Sequence, residues 1–434
     1  MLLSPTGLAV IGASREKQKV GHVIFKNLLK SKVKAYPVNN KARSVLGAKC
    51  YKSIIELKGL VSHAVIAVPA KFVPSVIEEC GAAKIKYAII ISAGFSETGN
   101  KKLEEETNQI AKNHGIRILG PNVLGIIKTG SYNASFFEGE VTKGNISFIS
   151  QSGALGVGIL DYLISKNIGL NNFISVGNMS DLTITDCLKE AITDEKTSCV
   201  MIYAESLKDG REFMKTCKES KKPIIILKAG VTNEGAKASS THTGSLAGSN
   251  EIYTAALKQC GAIRVQSLKE LLNTAITYDK YGRLGNKALV ITNAGGPGIL
   301  ITDALINNKI KMPELNKKVI DKLNKELTGV AWSKSNPLDL VGDAMADRYA
   351  KALDAIKKED FYDYVILILT PQAMTEPLET IKEAIKFHKE TGKPVIACLI
   401  GGDKVKSAKE HAIKNGLITY SDVNDLVNSI KNLD

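Results

Sequence analysis

One histidine of this chain lies in a segment made almost entirely of small and hydroxylated residues. His242 occupies the run Ala238-Ser-Ser-Thr-His-Thr-Gly-Ser-Leu-Ala-Gly248, in which no bulky side chain shields the imidazole. We expect this run to be a loop that follows a buried strand over Ile224–Leu227. A neutral imidazole presented in this way can act as a nucleophile or carry a proton, and the neighbouring hydroxyl and N–H groups suit a phosphorylated ring. An ordinary loop histidine is also compatible with the pattern.

A second segment has the composition of an anion site. Ser150-Gln-Ser-Gly-Ala-Leu-Gly156 follows an apolar strand and leads into a predicted helix. The first N–H groups of a helix have no partner within the helix, and together with serine hydroxyls they can hold a phosphate. An N-cap serine with no ligand is the alternative interpretation. The candidate phosphate-binding residues are Ser150, Ser152, Gly153 and Ala154.

The beginning of the chain has the features of a nucleotide-binding turn. Leu8-Ala-Val-Ile-Gly-Ala-Ser14 predicts a strand that runs into a turn at Gly12, Ala13 and Ser14, although the complete G-x-G-x-x-G pattern is absent. The next strand ends in Asn39-Asn-Lys-Ala-Arg43, without the acidic residue that usually binds an NAD ribose. The basic Lys41 and Arg43 favour a phosphorylated ribose, as in NADP or CoA. Solvated surface charges are the alternative.

Small residues at three further strand ends have the right composition to line the same crevice. In parallel α/β sheets, ligands bind beyond the carboxyl ends of the strands. Structural turns alone are the other explanation for each segment. The candidate ligand-binding residues at these ends are Val68, Pro69, Ser92, Ala93, Gly94 and Asn122.

Short aliphatic runs alternate along the chain with amphipathic stretches of ten to fifteen residues. Strands this apolar, separated by helices, predict parallel sheets that are covered on both faces. The polar stretches Thr129–Gly144 and Tyr281–Asn286 interrupt the alternation. We therefore predict an α/β protein with three consecutive doubly wound domains, at residues 1–128, 143–282 and 286–434.

Composition narrows the class of protein. Lys and Arg exceed Asp and Glu by 58 to 44, a net charge of +14, but the basic residues are dispersed and no aromatic stripe accompanies them. This distribution argues against nucleic-acid binding. Seven scattered cysteines without a C-x-x-C are typical of a reducing compartment and exclude a zinc site. With no apolar run long enough for a membrane span and a strand close to the N-terminus, we expect a cytoplasmic protein.

The ordered motifs together resemble a known family, the α subunits of ADP-forming acetyl-CoA (acyl-CoA) synthetases of the succinyl-CoA synthetase superfamily. The resemblance covers nearly the whole chain. One departure is Val123, which follows Asn122 where the family often has Cys or Ser. The motifs that carry the resemblance are Val10-Ile-Gly-Ala-Ser14, Tyr36-Pro-Val-Asn39, Ile91-Ser-Ala-Gly-Phe95, Gly120-Pro-Asn122, Ile149-Ser-Gln-Ser-Gly-Ala-Leu155, Ser240-Thr-His-Thr-Gly-Ser-Leu-Ala-Gly248, Thr292-Asn-Ala-Gly-Gly-Pro-Gly298, Asn336-Pro-Leu-Asp339 and Leu369-Thr-Pro371.

The resemblance implies a reaction and a division of labour. Its first domain is a Rossmann-like CoA-binding domain, and the other two are flavodoxin-like ligase domains. Acyl-CoA, ADP and phosphate are converted reversibly to carboxylic acid, CoA and ATP through an acyl phosphate and a phosphohistidine at His242. Glu205, at the end of an apolar strand, is the matched residue that orients the imidazole, with a helix-terminal role as the alternative. ATP/ADP and Mg²⁺ are implied on a separate ATP-grasp β subunit in an α2β2 assembly, with no metal on this chain.

Other functions remain open at this stage. A non-catalytic acyl-CoA-binding regulatory subunit, an acyltransferase regulator and an NADP-dependent dehydrogenase all retain some of these features. The intact His242 favours the synthetase, and the dehydrogenase is supported by the first domain alone. The identity of the acyl group (acetyl, branched-chain or aryl) is left undecided by the sequence.

Overall fold

A computed structural model describes residues 1–243 and 249–433 of the chain, except for the side chains of residues 239–243. The chain forms two compact units, Met1–Leu268 and Lys269–Asp434. The first unit contains two large sheets and the second unit contains one.

The first sheet of the first unit is a five-stranded parallel sheet with strand order β2-β1-β5-β6-β7. Its strands are nearly continuous runs of buried aliphatic residues, as expected for a sheet with helices on both faces. The first part of the unit contains β1 (Leu8–Ile11), α1 (Val20–Leu28), β2 (Ala35–Val38), the hairpin β3 (Ser44–Val45) and β4 (Ala48–Lys49), β5 (His63–Ile66), α2 (Val73–Ala82), β6 (Tyr87–Ile90), α3 (Lys101–Asn113) and β7 (Arg117–Leu119).

The second sheet has seven strands in the order β14-β13-β12-β10-β11-β8-β9. Five of them are parallel, and an antiparallel hairpin extends the edge beside β11. Its elements are β8 (Gly125–Lys128), β9 (Tyr132–Ser135), β10 (Lys143–Ser150), α4 (Gly153–Ser165), β11 (Leu170–Ser175), α5 (Ile184–Thr193), β12 (Cys199–Ala204), α6 (Gly210–Glu219), β13 (Ile224–Lys228), α7 (Asn233–Thr243), α8 (Asn250–Gln259) and β14 (Ile263–Val265).

The second unit is built on a five-stranded parallel sheet with the order β16-β15-β17-β18-β19. Its elements are α9 (Leu268–Tyr281), β15 (Ala288–Thr292), α10 (Gly295–Asn307), α11 (Lys317–Glu326), β16 (Leu338–Asp339), α12 (Ala346–Ile356), β17 (Tyr364–Leu369), α13 (Pro377–Thr391), β18 (Val395–Leu399), α14 (Lys406–Lys414), β19 (Ile418–Tyr420) and α15 (Val423–Ile430).

The three parallel arrangements share one topology. When the five parallel strands of each sheet are numbered in chain order, the first strand lies between the second and the third, and the fourth and fifth follow on the side of the third. This is the doubly wound 2-1-3-4-5 order. The switch points, where successive connections leave to opposite sides, lie between β1 and β5, β10 and β12, and β15 and β17. Ligand crevices of this fold open at the carboxyl ends of those strands. The predicted α/β class with doubly wound units in series is confirmed.

Two local features differ from the prediction. The polar stretch Thr129–Gly144, for which no strand was predicted, contains β9 and the start of β10, because alternating residues of Tyr132–Ser135 pack into the second sheet. The hairpin makes that sheet mixed rather than purely parallel. The run around His242, predicted as a loop, is helical as far as Thr243. Helix formers at Glu234, Ala236 and Lys237 precede the serines there, and the helix continues through them.

One apolar core joins the two sheets of the first unit. Residues of β1, such as Leu8 and Val10, belong to the same buried cluster as Ile149 of β10 and Val200 of β12. A shared core fixes the relative placement of the strand ends of the two sheets, and this placement is what shapes the site described below. Among the described helices, none has the length and apolar character needed to cross a membrane.

Candidate functional site

A cavity of about 660 Å³ in the first unit lies where the strand ends of the first sheet meet the start of α4. One wall follows β5, β6 and β7 and the other is the first turn of α4. Among the predicted ligand-binding residues, the cavity is lined by Val68, Pro69, Ser92, Ala93, Asn122, Ser152, Gly153 and Ala154. The structure therefore brings the predicted crevice of the first sheet and the predicted anion site together.

Backbone geometry on the first-sheet wall follows from small residues. The Ser92 hydroxyl donates to the Val68 carbonyl oxygen at 2.5 Å, and the Asn122 N–H donates to the Ser92 carbonyl at 3.0 Å. These bonds tie the ends of three strands into one surface. Asn122 has a φ of 63°, in the left-handed region that asparagine tolerates. Val123, at the position where the resembling family often has Cys or Ser, is buried and lines the cavity with its apolar side chain.

The turn after β1 is compact and lies outside the cavity lining. Gly12 has a φ of 91°, and a Cβ there would lie 2.4 Å from the Ala67 carbonyl oxygen, so that only glycine fits. The Asn39 side chain donates to the Ala13 carbonyl at 2.7 Å, and the Ser14 hydroxyl accepts the Glu16 N–H at 3.1 Å. This turn has the tight backbone of a nucleotide-binding turn, and its polar groups brace neighbouring loops.

Three other predicted ligand-binding residues are also outside the cavity lining. Lys41 is exposed beyond β2, where its N–H donates to Asn39 Oδ1 at 2.8 Å. Its ammonium makes no hydrogen bond or ion pair with another described residue. Arg43 is exposed nearby. Gly94 follows Ala93 with a φ of 109° and donates its N–H to Glu97 Oε1 at 2.6 Å. A ligand bound in the cavity would have to extend beyond it to contact Lys41 and Arg43.

The N-terminus of α4 forms the polar end of the cavity. Ser152 is the N-cap, and its hydroxyl accepts the Leu155 N–H at 3.3 Å. Ser150 is fully buried and donates to the Ser152 carbonyl at 2.7 Å, so it shapes the turn rather than facing the cavity. The first-turn N–H groups of Gly153 and Ala154 have no intrahelical acceptor and carry the positive end of the helix dipole. This end of the cavity can hold an anion.

Apolar side chains also line the cavity. They belong to Val20 at the start of α1, Phe136 after β9 and Val157 in the second turn of α4, and each leaves more than a third of its surface exposed. A ligand that combines an anionic group with an apolar chain would match this mixed lining and cover these side chains.

Glu205 is buried at the end of β12, across the switch point from β10. Its N–H donates to Gln151 Oε1 at 2.8 Å. The next strand ends in Lys228, which is 4% exposed and lies opposite Ala204 in the sheet register. The Lys228 ammonium donates to the Ala229 carbonyl and lies 4.6 Å from the ring centroid of Tyr253. Burial, with Arg264 nearby, lowers the pKa of Lys228 to about 8, and the carboxylate of Glu205 acts in the opposite direction.

The side chain of His242 and residues 244–248 lie outside the described residues. The backbone of His242 belongs to α7, which starts five residues after the end of β13 and lies against the 3-10 turn Ser96–Thr98. The predicted partnership of His242 with Glu205 therefore stays a prediction. Among the described residues no cluster of three or more His, Cys, Asp or Glu side chains could hold a metal ion.

Sequence reasoning missed four residues of this region. Gln151 was passed over between two serines, although it lines the cavity and contacts the Glu205 segment. Neither Phe136 nor Val157 belongs to a sequence pattern that indicates a ligand contact. Phe136 follows β9, a strand that was not predicted. Lys228 could have been identified from the sequence, because a lysine that ends an otherwise aliphatic strand is unusual.

Three protein-family models match the chain in series. A model described as a CoA binding domain matches residues 7–129, and one described as a succinyl-CoA ligase like flavodoxin domain matches residues 143–278. A ligase-CoA domain matches residues 288–430.

Similar proteins include a subunit of about the same length as this chain and a longer protein. The chain is 40% identical to the acetate–CoA ligase [ADP-forming] II subunit alpha of Pyrococcus furiosus, over 98% of this chain and 94% of that one. It is 42% identical to the acetate–CoA ligase [ADP-forming] of Methanocaldococcus jannaschii over 96% of this chain, but it spans only 60% of that longer protein. A solved structure of dinucleotide forming acetyl-coenzyme A synthetase 1 from Ca. Korarchaeum cryptofilum, in complex with phosphate and ADP, superposes with a TM-score of 0.95 at 36% identity, covering 100% of this chain and 95% of that one.

Proposed function

Because this chain belongs to the family of ADP-forming acetate–CoA ligases, we propose that its first unit binds acyl-CoA and phosphate in the cavity between the first sheet and α4, and passes the phosphoryl group to His242. The observation that carries the proposal is a cavity lined both by the N-terminal turn of α4 and by exposed apolar side chains. The N–H groups of Gly153 and Ala154 suit inorganic phosphate. Val20, Phe136 and Val157 suit the carbon chain of an acyl-pantetheine.

The chemistry runs in three reversible steps. A phosphate oxygen attacks the thioester carbonyl carbon, the C–S bond breaks, and CoA leaves as a thiolate that takes up a proton, giving an acyl phosphate. An imidazole nitrogen of His242 then attacks the phosphorus, and the P–O bond to the acyl group breaks with release of the carboxylate. In the last step an ADP phosphate oxygen displaces the imidazole and ATP forms. The first-turn N–H groups of α4 stabilise the charge of the phosphoryl oxygens in the first two steps.

Glu205 has an orienting role in this scheme. A carboxylate that accepts the Nδ1–H of an imidazole fixes the tautomer, leaves Nε2 free for attack and stabilises the positive charge that develops on the ring. The position of Glu205 at the second switch point, next to the α4 anion site, supports this role.

Nucleotide binding is assigned to a separate partner. The chain spans 60% of the M. jannaschii relative's length, and the P. furiosus relative is named as an α subunit. We propose an ATP-grasp β subunit, with Mg²⁺ on the nucleotide and an α2β2 assembly in the cytoplasm. CoA reaches Lys41 and Arg43 with its phosphorylated ribose in this scheme.

The test is reconstitution with the ATP-grasp subunit. We expect ADP release from ATP that depends on both CoA and an added acid, in a screen of acetate, branched-chain and aryl acids. Omission of CoA or of the acid is the control and should abolish the release. CoA binding without turnover of any acid would overturn the proposal and favour the regulatory alternative.

A further inference from the structure

Gln151 occupies the junction between the cavity and the Glu205 segment. It is the residue between the end of β10 and the N-cap of α4, it is 5% exposed, and it lines the cavity. Its N–H donates to the Tyr203 carbonyl at 3.0 Å and continues the β10–β12 pairing one residue beyond Ser150. The backbone of Gln151 is therefore held by the same strand that carries Glu205.

The side chain of Gln151 crosses the second switch point. Its Oε1 accepts two successive N–H groups, from Glu205 at 2.8 Å and from Ser206 at 3.0 Å, and its Nε2 donates to the Ser206 hydroxyl at 3.2 Å. All three residues are buried. Two N–H donors directed at one oxygen fix the turn after β12, and leaving them unpaired in a buried site is costly.

The other end of the same turn is also fixed. The Lys208 ammonium donates to the carbonyl oxygens of Asn178 at 3.2 Å and Met179 at 2.6 Å, in the loop that follows β11. Residues 205–208 are thus held at both ends, by Gln151 on the cavity side and by Lys208 on the far side. Gln151 therefore connects the cavity wall to the backbone from which the Glu205 carboxylate projects.

We propose that Gln151 is a positioning residue, which holds the Glu205 carboxylate in a fixed place relative to the α4 anion site. The inference rests on the proposed role of Glu205 in phosphoryl transfer. Gln151 acts through Glu205, so its removal lowers the rate of phosphoryl transfer while CoA binding is retained. A solely structural amide would instead change stability and leave the rate of the folded enzyme unaltered.

A double-mutant cycle on the complex with the ATP-grasp subunit tests the proposal. Gln151→Met keeps the size of the side chain and removes both acceptor and donor. We expect at least a tenfold slower formation of phosphohistidine from labelled ATP in the wild-type background, with CoA affinity changed less than twofold. In the Glu205→Gln background we expect less than a threefold further effect, because the carboxylate that Gln151 positions is already gone. Gln109→Met, on the exposed face of α3, is the matched control and should leave the rate unchanged.

Each outcome of the cycle has a definite meaning. An unchanged rate for Gln151→Met, or an equal slowing in both backgrounds, would overturn the positioning role. If Glu205→Gln alone leaves the rate of phosphohistidine formation unchanged, the proposed role of Glu205 fails. Slow phosphorylation of Gln151→Met would then show that Gln151 acts by a route other than Glu205, and the positioning role would also fail. Gln151→Ala covers the case in which the methionine variant does not fold: it also removes the acceptor and the donor but leaves room for water to bind the two N–H groups, and the same tenfold and threefold limits apply to it.

Discussion

Glu205 is the residue on which the proposed chemistry of the described site depends. It is buried, its backbone is held by Gln151, and Lys228 lies at the end of the adjacent strand with a pKa lowered to about 8 by burial. A buried carboxylate is stable only with polar or charged partners. The charge of Glu205 acts on Lys228, where it raises the pKa against the effect of burial.

We predict that Glu205→Gln keeps the fold and slows phosphoryl transfer. The amide retains the shape of the side chain but loses the charge that stabilises an imidazolium, so the rate of phosphohistidine formation should fall by roughly 10²-fold or more. Rapid-quench measurement of the phosphorylated chain gives the rate, with CoA affinity measured in parallel and expected to be unchanged. An unaltered phosphorylation rate would leave Glu205 with a helix-terminal role only, and Asp209 would become the next candidate.

Individual residues differ in how much the sequence could indicate. The placement of Glu205 and Ser152 was predictable, because the sequence shows a carboxylate at the end of an aliphatic strand and a serine before the glycine that starts a helix. Their roles stay predictions. Gln151 was not predictable, since its partners are set by the register of β10 against β12. The side-chain partner of His242 stays a prediction, and so does the contact of Lys41 with a ligand.

At the scale of elements, a polar side chain braces two of the three switch points. Gln151 bridges β10 and β12, and in the second unit Asn293 after β15 donates to the Thr370 carbonyl and accepts the Thr370 N–H, both at 2.9 Å. The alternation of strands and helices predicted β13 to within one residue of its end. Short strands such as β9 and β14 were missed, because two to four residues carry too little periodicity and their pairing depends on neighbours distant in the chain.

Strand β5 contains a buried histidine that makes the first unit sensitive to acid. The His63 ring is stacked on Tyr87 at 4.8 Å, and its Nε2 lies 3.0 Å from the Leu2 carbonyl oxygen. Burial lowers the pKa of His63 to about 4. Because the unfolded chain takes up this proton near pH 6.5 and the folded chain resists it, the contribution of His63 to stability is present above pH 6.5 and is lost as the pH falls toward 4.

We predict that this group alone costs the first unit about 3 kcal/mol of unfolding free energy between pH 6.5 and pH 4. His63→Gln retains a donor for the Leu2 carbonyl but does not titrate, so the loss over that pH range should be smaller by this amount. Urea denaturation followed by circular dichroism at pH 6.5, 5 and 4 measures the difference. Equal pH dependence of the two proteins would show that His63 is already charged in the folded state or does not control the transition.

At the scale of the whole molecule, the chain repeats one doubly wound arrangement three times and distributes the copies over two compact units. Only the first unit combines two sheets around one core, and the cavity exists because the strand ends of one sheet lie against the first helix of the other. The predicted domain boundaries at 128, 143, 282 and 286 stay predictions. The antiparallel hairpin that joins the second sheet could not be foreseen, since its residues read as a polar linker.

The most direct test of the account is whether His242 of this chain carries the phosphoryl group. The complex with the ATP-grasp subunit is incubated with ATP labelled in the γ-phosphate and Mg²⁺, and this chain is examined for acid-labile, base-stable label. We expect label on the wild-type chain and on the surface control His114→Ala, no label on His242→Ala, and loss of the label when CoA and a substrate acid are added. Label that persists on His242→Ala, or a wild-type chain that turns over acid and CoA without ever becoming labelled, would contradict the account.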